Sequence, residues 1–370
     1  MKVSRRTVMA GAFGALGSAA LRAQDKPIHI GMIGLGLRSG AHLSALRKLP
    51  EAKITALCDI QPDRITKVNE GLPEKAAAYA DYKQLVRDPN VAAVVIITPG
   101  FLHHEMTVAA LRAGKDVMLE KPMGINYAQA IDIQREAQKS GRILAVGMQR
   151  RYTRGDAEIQ EVIDSGALGP IRLVSYNEYR EDWNPKTWQY TDPDTGKKIS
   201  WRLLKKTAGS SELEFSIHSF AMISNVVKSP VVKVAASGSV LHYKDRDTRD
   251  VSTLVAEFAN GARLSYSFSC FAGGGGTGCT IVGDKGVIRR DRGESSFLTL
   301  QGGKTQPLPR SARLSDDPAE VQLYRDFFQC LRRRRQSALN ADAALEPSKI
   351  AFAADLSIAE GRMVNVKELS

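Results

Sequence analysis

The chain has 370 residues, 43% of them hydrophobic and 25% charged, with a formal net charge of +12. That is an ordinary globular composition: it excludes a disordered chain, a collagen and a polytopic membrane protein, and the length suits two domains of about 100–200 residues. Such a chain buries a large core without disulfide or metal staples. Its basic run, Arg332-Arg333-Arg334-Arg335, comes with no zinc-finger, helix-turn-helix or aromatic-rich RNA motif, so no nucleic-acid partner is expected.

In chain order, Lys2, Arg5, Arg6 and Arg22 come first, with no acid before Asp25. Arg5 and Arg6 precede an uncharged stretch of small and apolar residues, Thr7 to Leu21, too short to span a bilayer comfortably. With a cleavage point after Ala23, the pattern resembles a twin-arginine (Tat) signal peptide, with Ala10 where Lys is frequent. It implies the Tat export machinery as a partner and a periplasmic or otherwise exported protein. Residues 1–26 are set apart from the fold for that reason.

Residues 28–34 read as a buried strand running into Gly34-Leu35-Gly36-Leu37-Arg38-Ser39-Gly40 and a helix over 41–49. A strand over 53–58 ends at Asp59; a helix (61–69), strand (91–98), helix (103–113) and strand (116–120) follow. Strands alternating with helices imply a parallel sheet. Gly34 permits a tight turn, and Gly36 lets the backbone approach a pyrophosphate at a helix N-terminus. The third glycine position holds Ser39. Asp59 can accept both ribose hydroxyls and would repel a 2′-phosphate, which favours NAD, with NADP the other candidate. The cysteines are Cys58, Cys270, Cys279 and Cys330. They form no C-x-x-C or His/Cys cluster, so no metal site is expected. Cys58 reads as a buried hydrophobe, while Cys270 and Cys279 could meet across a hairpin.

Thr98-Pro99-Gly100-Phe101-Leu102-His103, Ala113-Gly114-Lys115-Asp116-Val117, Glu120-Lys121-Pro122 and Gly147-Met148-Gln149-Arg150-Arg151-Tyr152 form a connected series. It resembles the Gfo/Idh/MocA family, the glucose–fructose oxidoreductase and inositol dehydrogenase group. The resemblance implies an α/β protein: a Rossmann dinucleotide-binding domain (27–150), then an α/β domain (151–370) with a large, mostly antiparallel open sheet that binds substrate and assembles a homodimer or homotetramer. Strand patterns at 171–179, 231–241, 251–258, 262–271, 277–282 and 287–290 support the second domain, with closing helices at 318–335 and 347–363.

The resemblance places the catalytic lysine at Lys121, with Pro122 in the cis form, and cofactor contacts at Gly34, Gly36, Leu37, Arg38, Asp59, Thr98, Pro99, His103, Glu120 and Lys121. Glu214-Phe215-Ser216-Ile217-His218 stands where the family carries Asp-x-x-x-His. His218 would be the general acid/base. On one helix Glu214 would share its face and orient it or relay its proton. Ala221 and Ala208-Gly209-Ser210 depart from the family pattern there. Arg151, Tyr152, Tyr179, Arg180 and Trp183, with Trp188, are candidate sugar contacts.

These readings imply an oxidoreductase moving hydride between a nicotinamide cofactor and a hydroxyl or ketone of a sugar, cyclitol or glycoside. Export makes a tightly held cofactor necessary, because no periplasmic NAD pool replaces a lost one. The alternative is redox-neutral glycoside cleavage or epimerisation through a transient keto-sugar. Changing Arg5 and Arg6 to Lys should retain the chain in the cytoplasm, as read by cell fractionation; normal export would remove the Tat assignment.

Overall fold

In this computed structural model the described residues are 26–181, 189–191, 195–271, 276–291, 295–311 and 314–370. The leader, Trp183 and Trp188 lie outside them. Six short strands build the first sheet: β1 (Ile28–Ile33), β2 (Ala52–Cys58), β3 (Ala77–Tyr79), β4 (Ala93–Ile96), β5 (Asp116–Leu119) and β6 (Leu144–Val146). Every pairing is parallel and the order is β3-β2-β1-β4-β5-β6. Helices α1 (Ser39–Leu46), α2 (Pro62–Glu70), α3 (His103–Arg112) and α4 (Tyr127–Ser140) connect the strands. A parallel sheet is covered on both faces, so its central strands are continuous apolar runs. β4 and β5 are buried at every position. Strand order reverses between β1 and β4, and a ligand crevice opens at the carboxyl ends of such a pair.

Helix α5 (Arg154–Asp164) leads to the second sheet. Its strands are β7 (Ile171–Tyr179), β10 (Val231–Ser239), β11 (Val251–Phe258), β12 (Arg263–Ser269), β13 (Gly276–Gly283), β14 (Gly286–Arg290), β15 (Ser296–Leu300), β16 (Gln306–Pro307) and β17 (Val364–Asn365); β8 (Gln189–Thr191) and β9 (Lys198–Ser200) form a separate ribbon. The order is β16-β15-β14-β13-β7-β12-β11-β10-β17, antiparallel except for β7 with β12. Alternation decides its faces: Leu254, Ala256 and Phe258 of β11 point inward while Thr253 and Val255 face out. Helices α6 (Ile217–Val227) and α8 (Ala341–Glu360) cover the inner face.

Two sequence expectations shift. The last helix starts at Ala341, ahead of the expected 347, and Pro347 lies inside it. The Asn340 side chain caps it by accepting from Ala343 N, and a buried face including Leu345, Ile350 and Ala354 outweighs the cost of an internal proline, about 3 kcal/mol. The C-terminal helices also serve both sheets. Helix α7 (Ala319–Arg333) packs on α1, and α8 packs on α4 as well as on β10. Val146 N donates to Leu339 O at 2.8 Å, joining the first sheet to the chain between them. The arginine run ends α7, with Arg334 paired to Asp116 and Arg335 to Asp326.

All four cysteines are free and buried, Cys270 and Cys279 included. Burial pushes the Cys58 thiol up to about 12. Among the described residues no helix is long and apolar enough to cross a membrane, and no cluster could hold a metal ion. Phe327 of α7 is fully buried. Phe327→Ala should cost about 3–5 kcal/mol in urea unfolding, the usual loss for emptying an aromatic site; a loss within error would mean that α7 is not part of the cooperative core.

Candidate active site

The crevice at the carboxyl end of the first sheet holds about 800 Å³ and runs from the glycine loop to the second domain. That is room for a dinucleotide end and a small substrate. At one end Gly34 turns at φ +90°, and a Cβ there would stand 2.8 Å from Ile97 O. A Cβ on Gly36 would meet only Arg64, at 3.8 Å, so it would project into open crevice. This is the cradle a pyrophosphate needs. Leu37 is 71% exposed beside it. Asp59 closes that end: it accepts from Leu35 N at 2.7 Å and Gln61 N at 2.9 Å, with Arg64 at 3.5 Å. The carboxylate thus braces the loop and still lines the crevice, as do Thr98 and Pro99.

The other end is built around Lys121, whose bond to Pro122 is cis. Lys121 Nζ donates to Glu214 O at 2.7 Å and to Glu214 Oε1 at 3.0 Å; Arg202 donates to the same oxygen at 2.7 Å. Burial, together with Arg202, lowers the ammonium pKa against the opposing pull of Glu214. Glu120 accepts from Arg38, from His42 Nε2 and from Lys121 N. Burial alone would raise its pKa. The His42 hydrogen bond and the charges of Arg38 and Lys121 overcome that and hold the carboxyl far below the usual range.

The expected helical pairing of Glu214 with His218 does not form. One short turn, Ser211–Glu214, is capped by Ser210 and ends before Phe215 and Ser216; His218 belongs to the next helix, α6. With two cations in reach, the Glu214 carboxylate bonds to Lys121 and Arg202, not to the imidazole. His218 lines the crevice with Lys121 and Glu214. Its Nδ1 is buried without a hydrogen-bond partner in the structure. Burial first, then the positive charges of Lys121, Arg150 and Arg180, lower its pKa well below that of a free imidazole.

Other expected contacts separate. His103 is fully buried and its two ring nitrogens face Pro122 O at 2.6 Å and Thr98 O at 2.8 Å. Burial lowers its pKa, so the neutral ring donates to one of the two carbonyls, and both nitrogens face backbone rather than the crevice. Arg180 lines the crevice, 5.4 Å above the Phe215 ring. Arg151 does not; it reaches Asn225 and lines a cavity of about 40 Å³ behind His218. Arg150 lines both spaces. The two arginines share a 3₁₀ turn, Gln149–Tyr152, whose three-residue period sends neighbours about 120° apart. Tyr152 and Tyr179 are not among the crevice-lining residues. Burial and Asp326 raise the Tyr152 phenol. The structure adds Gln149, Tyr190, Trp201 and Arg202 to the lining. Gln149 and Arg150 lay inside the Gly147-to-Tyr152 motif, whereas Arg202, in a short 3₁₀ turn (Trp201–Leu203) directly after β9, had no sequence signal.

A parallel sheet with a glycine turn, a strand-end carboxylate at its switch point, and a lysine and histidine converging from two domains define an NAD-binding oxidoreductase. Residues 28–148 match the oxidoreductase family with an NAD-binding Rossmann fold, and residues 157–289 match the GFO/IDH/MocA C-terminal domain. The chain belongs to the GFO/IDH/MocA family. It is 29% identical over 238 residues to the myo-inositol 2-dehydrogenase of Thermotoga maritima, a match covering 64% of this chain and 66% of that one. It resembles the aldose-aldose oxidoreductase of Caulobacter crescentus, solved with glycerol, at a TM-score of 0.79 and 24% identity over 92% of this chain and 100% of that one. Levoglucosan dehydrogenase, solved with NADH, superposes at 0.81 with 20% identity, covering 92% and 99%.

Removing a positive neighbour should let His218 hold its proton more easily. Lys121→Met should therefore raise the His218 pKa towards the ordinary imidazole value, as followed by NMR of the histidine-labelled protein. No upward movement would show that burial alone sets it.

Proposed function

We propose that the protein oxidises a hydroxyl of a sugar, cyclitol or glycoside with NAD that stays bound through the cycle, the hydride then passing to the carbonyl of a second sugar, which is reduced to the alcohol. The observation that carries this reading is the convergence of Lys121, Glu214 and His218 on the same crevice as the glycine loop and Asp59. When bound, NAD supplies the hydride acceptor. Gly34, Gly36, Leu37 and Arg38 would hold its phosphates, and Asp59 its ribose. The substrate hydroxyl sits between Lys121 and His218. Lys121 donates to its oxygen and stabilises developing negative charge. His218, kept neutral by its surroundings, accepts the hydroxyl proton. Glu214 fixes the Lys121 ammonium and offsets its charge.

The twin-arginine leader adds export through the Tat route to this proposal, and a folded, preloaded protein suits it. The outer face of the second sheet, with Leu173, Val255 and Phe297 exposed, supports a homo-oligomer.

Two measurements test the reading together. Denaturing the purified protein should release NAD. Lys121→Ala and His218→Ala should each lose about 10²–10⁴-fold in turnover, the usual contribution of a positioned acid–base group, while keeping the nucleotide. Absence of bound nucleotide, or full turnover in both variants, overturns the proposal. Product formed with neither net reduction of the nicotinamide nor reduction of an acceptor sugar would select the redox-neutral route instead.

A further inference from the structure

We propose that the substrate is an acidic sugar, a uronate or aldonate, and that Arg150 seats its carboxylate beside His218. The inference rests on the crevice being a sugar site and names the class of sugar.

The reacting end is rich in positive charge. Lys121, Arg150, Arg180 and Arg202 all line it. Lys121 and Arg202 share one carboxylate, Glu214. Arg180 donates at 2.8 Å to Glu178, a fully buried carboxylate that also accepts from Ser219 and Tyr266. Arg150 is held more loosely. Its hydrogen bond in the structure goes to the Tyr176 hydroxyl at 3.4 Å, and its ion-pair partner Asp156 stands 3.6 Å from Nε. Arg290 takes Asp156 Oδ1 at 2.6 Å, while Oδ2, which has no hydrogen bond, faces Arg150.

Against the cost of burial, Tyr176, Asp156 and Glu178 already raise the Arg150 pKa, but the long contacts leave room for a further acceptor on the guanidinium. Arg150 keeps 26% of its side chain exposed, and it lines the crevice alongside His218. A guanidinium presents paired donors that match a carboxylate in two parallel hydrogen bonds. Glu120, Glu178, Glu214 and Asp156 offset the cations at this end, so what a sugar acid brings here is a further acceptor for the paired donors of Arg150.

The test uses the full protein loaded with NADH, so that binding is read without turnover. D-glucuronate, D-galacturonate and D-gluconate are titrated by calorimetry against D-glucose and D-galactose. At least one acid should bind ~10-fold or more tightly than its neutral parent, and the advantage should shrink as salt rises. In Arg150→Gln the preference should fall to within about threefold. Arg150→Lys, which keeps the charge and loses the paired donors, should retain part of it. Thermal midpoint and NADH affinity, measured on the same samples, exclude misfolding.

A neutral parent binding as tightly as its acid, an Arg150→Gln loss equal for acid and parent, or failure of every acid overturns the proposal. If neutral sugars nevertheless reduce the bound nicotinamide, only the charge assignment falls. If the purified protein holds no NAD, the dehydrogenase reading itself falls.

Discussion

One buried carboxylate organises the reacting end of the crevice. Glu120 is 5% exposed and directly follows strand β5. It accepts from Arg38 of the nucleotide loop, from His42 of α1 and from the backbone of Lys121. A carboxylate only accepts, so His42 Nε2 must donate to it. His42 Nδ1 then meets the Tyr324 hydroxyl on α7 at 2.7 Å. Arg38 also reaches Glu320 on α7 at 3.1 Å. Glycine loop, lysine loop and C-terminal helix are therefore held by one set of charged and polar contacts. Removing one member of a buried set like this leaves the others unpaired, at a typical cost of about 3–5 kcal/mol.

The same economy governs the two loops beside it. Asp59 braces the glycine turn through Leu35 N, so a carboxylate that lines the crevice also shapes that turn. The fully buried His103 ring is wedged between Pro122 O and Thr98 O, so the lysine loop and the crevice floor pack on one side chain. Neither contact needs a ligand in place. The cradle is preorganised, which lowers the ordering cost of binding.

Lys121 carries the electrostatic consequence. A buried ammonium would shed its proton without a partner, and Glu214 supplies one from the second domain through both its carboxylate and its backbone oxygen. The lysine comes from the first sheet and the glutamate from the turn before α6. Their contact fixes one domain against the other at the crevice. Arg202 lies against the Trp201 ring at 4.9 Å and shares Glu214 from the loop side.

Local pattern was enough for the first sheet. Apolar runs between glycine turns and amphipathic helices admit a parallel buried sheet and little else, and Gly34, Gly36 and Asp59 follow from what a pyrophosphate and a ribose require. The Glu120-Lys121-Pro122 series located the lysine. Tertiary structure decided the rest. Whether Glu214 faces His218 or Lys121 depends on a helix break after a capped turn and on two cations brought from distant segments. Which arginine of the 150–151 pair enters the crevice depends on the phase of a 3₁₀ turn. Arg202 comes from a short 3₁₀ turn after β9 that no periodicity records. Sequence by itself determined the elements and the chemistry-bearing residue types, because these obey rules spanning a few residues. Only the folded chain decided the partners, because a buried charge is settled by whichever opposite charge the packing brings within hydrogen-bond reach.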